Sequence, residues 1–100
     1  MPTTSKVLAR TAAATSNATL YTVPSATTTV VTEIVVTNTA TSAATYTVLL
    51  NDVSIATTVS VAANDSTVIS LKQVLPTTQT IKGSASATTV NFHISGVEIS

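Results

Sequence analysis

The sequence predicts an all-β domain, a single β-sandwich of immunoglobulin-like or jelly-roll-like type with about seven or eight short antiparallel strands. Three observations predict it. Thr and Ser make up about a third of the 100 residues and Val is abundant, whereas Glu, Lys and Gln are scarce; β-branched side chains fit a pleated surface and lose rotamer freedom in a helix. From Thr19 onward, short runs of such residues alternate with turn sequences at intervals of about 8 to 12 residues, the spacing of a sandwich or barrel. No stretch longer than a turn places its apolar residues at helical period.

The first 18 residues, MPTTSKVLARTAAATSNA, are small, polar and weakly patterned apart from Val7 and Leu8. They read as an extended arm preceding a sandwich at 19–100, with a flexible tail or an extra edge strand as the competing forms. Leu20 to Val23 forms a short strand, stopped by Pro24, which has no N–H to give a central ladder. Thr28 to Asn38 is the longest β-rich run, and its apolar residues do not alternate strictly. Ala44 to Leu50 does alternate, and Asn51-Asp52 then turns the chain, since both residues tolerate the left-handed region. Val53 to Val61 carries Val53, Ile55, Val59 and Val61 at odd positions. After the turn at Ala63-Asn64-Asp65, Thr67 to Leu71 resumes as a strand. Lys72 to Thr80, with Pro76, reads as a loop, and Gly83-Ser84 as a turn. In the last strand Val90, Phe92 and Ile94 share one parity and Val97 and Ile99 the other, so keeping all five inward requires a bulge, expected at Gly96. The expected core is Tyr21, Val35, Tyr46, Val48, Val59, Ile69, Ile81, Phe92 and Ile94.

Charged residues are 8% of the chain, with four bases balancing four acids, where about 25% is usual. Hydroxyls must therefore wet the surface. Without clustered Lys or Arg the chain lacks the main attraction for nucleic acid. A net charge of zero favours association, because solubility as a monomer rests on a charge of magnitude about 2 to 8. There is no cysteine, so neither disulfides nor thiolate metal sites form. No apolar run approaches the ~18 residues of a membrane-spanning helix, and no targeting signal is visible.

The residues offer little chemistry. His93 is the only histidine, which rules out a multi-histidine metal site; its parity, opposite to Phe92 and Ile94, turns it to solvent or to a neighbour. The carboxylates Glu33, Asp52, Asp65 and Glu98 show no pairing in their spacing, and Asp52 and Asp65 sit in turns, where Asp has a conformational role. Two glycines, Gly83 and Gly96, are too few for a phosphate loop or a nucleophile elbow. Tyr21, Tyr46 and Phe92 are the only aromatics and read as core. Neither an enzyme nor a cofactor is expected.

The run Thr19-Leu20-Tyr21-Thr22-Val23-Pro24, continuing through TTTVVTEIVVTN, resembles the opening of small β-domains in structural proteins of tailed bacteriophages, cyanophages included. In the same order, AATYTVLL is similar to the strand after that family's first hairpin turn, VAANDSTVISL to its Ala-Ala-Asn-Asp turn and the strand beyond, and FHISGVEIS to its closing strand. The match covers about four-fifths of the chain and leaves out the arm. Ser25-Ala26 stands where the family often has Gly, Thr37 where it often has Cys, and the Asn51-Asp52 link replaces a longer charged hairpin.

The resemblance implies a non-enzymatic virion component. The leading expectation is a capsid cement or decoration protein on the outer surface of the head, binding the major capsid protein. A chain of 100 residues starting at Met1 fits a free-standing decoration protein better than a piece of a fibre. The alternative is a tail, neck or fibre module that contacts the host surface, where carbohydrate is the usual ligand. A small cyclic homo-oligomer is expected, a trimer ahead of a dimer. The arm residues Lys6, Val7, Leu8 and Arg10 are the candidate capsid or subunit contacts, and neither nucleic acid nor a membrane is an expected partner.

Overall fold

A computed structural model describes residues 3–100. The strands are β1 Thr3–Ala12, β2 Ala18–Thr22, β3 Thr28–Asn38, β4 Ala44–Leu50, β5 Val53–Val61, β6 Asp65–Leu75, β7 Thr80–Ala85 and β8 Val90–Ile99. They form two four-stranded sheets, ordered β1-β8-β3-β6 and β2-β7-β4-β5, and every neighbouring pair is antiparallel. The pairs β1–β8, β2–β7, β3–β6 and β4–β5 are the rungs of one long hairpin whose tip is the β4–β5 turn. Rolling that hairpin up adds the closing pairs β3–β8 and β4–β7, which makes a jelly roll. Of the two sandwich forms open to the sequence, this topology selects the jelly roll.

The tip is held by local chemistry. Asn51 and Asp52 have φ of 52° and 64°, the left-handed pair of a type I′ turn, whose twist matches that of the flanking strands. The Asp52 carboxylate meets Lys82 Nζ at 2.8 Å. At the opposite end of β4, the buried Asn38 donates to Ser42 O at 2.9 Å and accepts from Ala40 N at 3.1 Å and Thr89 Oγ1 at 3.2 Å. A buried amide satisfied on both sides fixes the β3–β4 connection, since leaving either atom unpaired costs about 1 to 3 kcal/mol.

The core lies between the sheets. Phe92 is its largest fully buried side chain, in a core cluster with Val31, Ile34, Val48, Ile81 and Ile94. Its ring meets Tyr46 edge to face, with centroids 6.4 Å apart, the arrangement the ring quadrupoles favour. Tyr46, Val48, Ile81, Phe92 and Ile94 are thus core as expected. Val35 and Val59 are not. Val35 points away from the other sheet because Ile34 and Val36 take the inward positions, and Val59 is on the edge strand β5, 36% exposed, where no strand covers it. Tyr21 and Ile69 are partly buried at the margins.

Four local expectations are corrected. Thr3–Ala12 is hydrogen-bonded to β8 from Thr3↔Ile99 to Ala12↔Asn91, so for this stretch the extra edge strand, and not an arm standing off the domain, is the form observed; Met1 and Pro2 lie outside the described residues. β6 runs on to Leu75, 2% exposed, and the loop shrinks to residues 76–79. Gly83 is inside β7, where a Cβ would lie 3.1 Å from Leu20 and 3.3 Å from the Phe92 ring, and the turn falls at 86–89.

The fourth correction concerns Gly96. β8 keeps its alternation, and the irregularities fall on its neighbours, at Leu8 in β1 and Thr32 in β3. Val97 and Ile99 therefore face outward. Gly96 serves close approach instead: a Cβ there would stand 2.4 Å from Val30 O and 2.8 Å from Leu8 Cδ1. The extra residue Leu8 turns its side chain inward, 7% exposed, into the space that a missing Cβ leaves.

Candidate functional site

Two of the candidate contact residues, Val7 and Arg10, are exposed on β1. Leu8 belongs to the core and is withdrawn from any partner. Lys6 is half exposed and bonded within the chain, its Nζ 3.3 Å from Glu98 Oε1. Glu98 is the inward residue at the end of β8, with its side chain 15% exposed. Its other oxygen accepts the Tyr21 hydroxyl proton, and Thr29 Oγ1, 2.8 Å from Tyr21 Oη, donates to that oxygen in turn.

One carboxylate therefore joins strands from both sheets at the β1–β2 side of the sandwich. The Tyr21 hydrogen bond, helped by Lys6, holds the Glu98 carboxyl below its ordinary range. Burial, followed by the Glu98 hydrogen bond, pushes Tyr21 up to about 12. Both groups thus keep one protonation state across the neutral range, which suits a clamp. The spacing of the carboxylates gave no sign of this, because the partners of Glu98 lie on two other strands, Lys6 on β1 and Tyr21 on β2.

The remaining titratable groups are dispersed. Among the described residues no three of His, Asp and Glu come together as metal ligands. A depression of about 350 Å³ at Thr37, Asn38 and Asn64 to Ser66 holds one acid, Asp65, and another of about 390 Å³ between β1 and β2 holds one base, Arg10.

What distinguishes the surface is the contrast between its two outer sheet faces. On the β2-β7-β4-β5 sheet, the outward positions are Thr19, Lys82, Leu49 and Ser54 in one row and Thr47 and Ser84 in another. Leu49 is the apolar residue among these positions, and at the edge of the same sheet Val53, Ile55 and Val59 of β5 are also exposed. On the β1-β8-β3-β6 sheet the outward rows are different. Val97, Val30 and Val74 lie side by side, as do His93, Val35 and Val68. Val68 and Val74 are 57% and 61% exposed. A polar row, Ser95, Glu33 and Ser70, runs between them and meets Val7 on β1, while Arg10 extends the His93, Val35 and Val68 row and Ser5 the Val97, Val30 and Val74 row.

Edge pairing is discouraged in this molecule. Each of the four outer strands meets its neighbour with a register shift, at Leu8 in β1, Leu20 in β2, twice in β5 and opposite Thr32 in β6. Bulges of this kind blunt a sheet edge against further strands. The outer face of the β1-β8-β3-β6 sheet gathers valines from all four of its strands, and no sequence pattern announced it, because the same Val residues serve equally well as core. No family model, no curated protein and no solved structure matches the chain.

Proposed function

We propose that the chain is a non-catalytic structural protein of a bacteriophage particle, a cement or decoration subunit that binds the major capsid lattice on the outer surface of the head. The observation that supports this reading is the apolar outer face of the β1-β8-β3-β6 sheet, set against a hydroxyl-rich face on the other sheet of the same domain. Val68 and Val74 are exposed on that face, and contact with a partner would take them out of water. The jelly roll is also the fold of many viral capsid domains, an analogy of fold that raises the reading without carrying it.

The second reading, a tail, neck or fibre module that binds host carbohydrate, has less support. Sugar faces stack on exposed aromatic rings, and here Phe92 and Tyr46 are buried and Tyr21 is tied to Glu98. The deciding experiment is quantitative: purified particles are probed for copy number, and purified protein is added back to stripped heads. Hundreds of copies and saturable rebinding to heads are expected. About a dozen copies confined to the tail, or no binding to heads, overturns the cement reading.

A further inference from the structure

We propose that β1 is an exchangeable strand: it leaves its own β8 and takes the same place on β8 of a second copy, while that copy's β1 makes the reciprocal move. The exchange concerns how copies of the chain join, and it does not depend on the particle role proposed above. It starts from how little of β1 is fixed to its own roll.

β1 lies at the edge of its sheet, with β8 as its single ladder partner. Within it only Leu8 is buried, and Ala9 partly so. Apart from Leu8 and Ala13, every buried apolar residue among the described ones lies at Val23 or beyond, so the core around Phe92 is built without β1. Lifting the strand therefore opens a local unit and not the whole roll. The connection that follows is equally loose. Ala14 to Asn17 are exposed and belong to no strand. They are held by one main-chain bond, Ala85 N to Ala14 O at 2.9 Å, and one side-chain bond, Ser84 Oγ to Asn17 Oδ1 at 2.7 Å. Once freed, this segment reaches ~13 Å. Ala13, whose N–H meets Val90 O at 2.7 Å, travels with β1 to the same carbonyl of the second copy.

The lifted strand leaves a specific template behind. β8 has no bulge of its own, so its bared edge is regular along its whole length, the kind of edge that takes up another strand. What fits that edge is narrowly defined. The incoming strand needs an extra residue beside Gly96 whose apolar side chain fills the space of the missing Cβ, and a cation two residues earlier to meet Glu98. Leu8 and Lys6 of a second copy meet both requirements in the register already observed, from Thr3↔Ile99 to Ala12↔Asn91. Closed and exchanged forms then contain the same ladder, the same Leu8 seat and the same ion pair. They differ only in the connection and in the dependence on concentration. A tethered strand has an effective concentration of roughly millimolar order, so the closed monomer prevails in dilute solution and exchange prevails where copies are crowded.

The chain has no cysteine, which gives a crosslinking test a clean background. Ser5 and Val97 are ladder partners, at a spacing that a disulfide can span. Ser5→Cys and Val97→Cys are made as separate full-length proteins, one of them tagged, and mixed at about 1 mM, where exchange competes with the tether. The mixture is warmed to just below its melting temperature, cooled and oxidised. A disulfide joining the two variants is expected, several times more abundant than one joining Ser5→Cys to Ser60→Cys, whose cysteine lies on the other sheet. A chain carrying both Ser5→Cys and Val97→Cys, oxidised in dilute solution, closes the bond within itself and locks β1 in place. After the same warming, sedimentation should show dimers of wild type at about 1 mM and monomers of the locked chain. Thermal melts check that every variant is folded. Wild type that stays monomeric, a crosslink no stronger than the Ser60→Cys control, or a locked chain that dimerises like wild type each overturns the exchange.

Discussion

Phe92 shows how much one side chain carries in a core with three aromatic residues in the whole chain. Truncation removes the ring that fills the space between the sheets, and Phe92→Ala is expected to cost about 3 to 5 kcal/mol in denaturant unfolding. A melt within a degree or two of wild type is the result that removes Phe92 from the core. Glu98 acts through charge. Its carboxyl titrates below the ordinary range when folded, so the unfolded chain binds the proton more readily. Its stabilisation is present above the ordinary carboxylate pKa and is lost as pH falls through the lower folded value. Glu98→Gln should therefore destabilise at neutral pH, with the gap to wild type closing in acid. Tyr21 has the opposite sign: a folded value raised to about 12 stabilises below the unfolded pKa near 10 and is lost as pH rises from there through the folded value. Unfolding midpoints measured across both limbs check the two windows, and a gap that stays constant into acid shows that Glu98 is not the group titrating.

The bulges decide what each strand can do. At Thr58, φ is 50° in an exposed part of β5, a conformation that costs a β-branched residue about 1 to 2 kcal/mol. Its N–H is held by Thr47 Oγ1 at 3.1 Å, a bond any residue at 58 except proline retains. Thr58→Gly is expected to stabilise by about 1 kcal/mol, and an unchanged or lower melting temperature refutes the strain. β1 offers a second case. With Leu8 seated against Gly96, the strand is part of the fold, and Gly96→Ala should cost about 1 to 3 kcal/mol by overpacking. Removing residues 1–12 empties that seat and bares the edge of β8, so the shortened protein should melt lower and aggregate, as light scattering would show. A truncated protein with wild-type stability and solubility makes β1 dispensable.

At the scale of the whole molecule, the roll makes almost every ladder long-range: β1 pairs with β8, the two ends of the described chain, and only β4–β5 joins strands adjacent in sequence. Loops of that length must close before the contacts form. Folding in milliseconds to seconds is therefore expected, as for other all-β domains of high contact order, and stopped-flow refolding in microseconds contradicts it. The elongated shape, 45 × 21 × 18 Å, leaves the two outer sheet faces as the broad surfaces available to partners.

The sequence by itself determined the β class and the bounds of β3, β4 and β5, because strand propensity and the Asn51-Asp52 turn act between residues close in the chain. It also placed the inward parity of Phe92 and Ile94, since their alternation is unbroken. Which Val residues are core and which form the outer face was decided only by tertiary structure. A single extra residue, Leu8 in β1 or Thr32 in β3, reverses the parity of everything beyond it, and whether a bulge exists depends on the neighbouring strand. The Glu98 clamp, the Leu8 seat at Gly96 and the contrast between the two sheet faces all arise from strands far apart in sequence, brought together only when the hairpin rolls up.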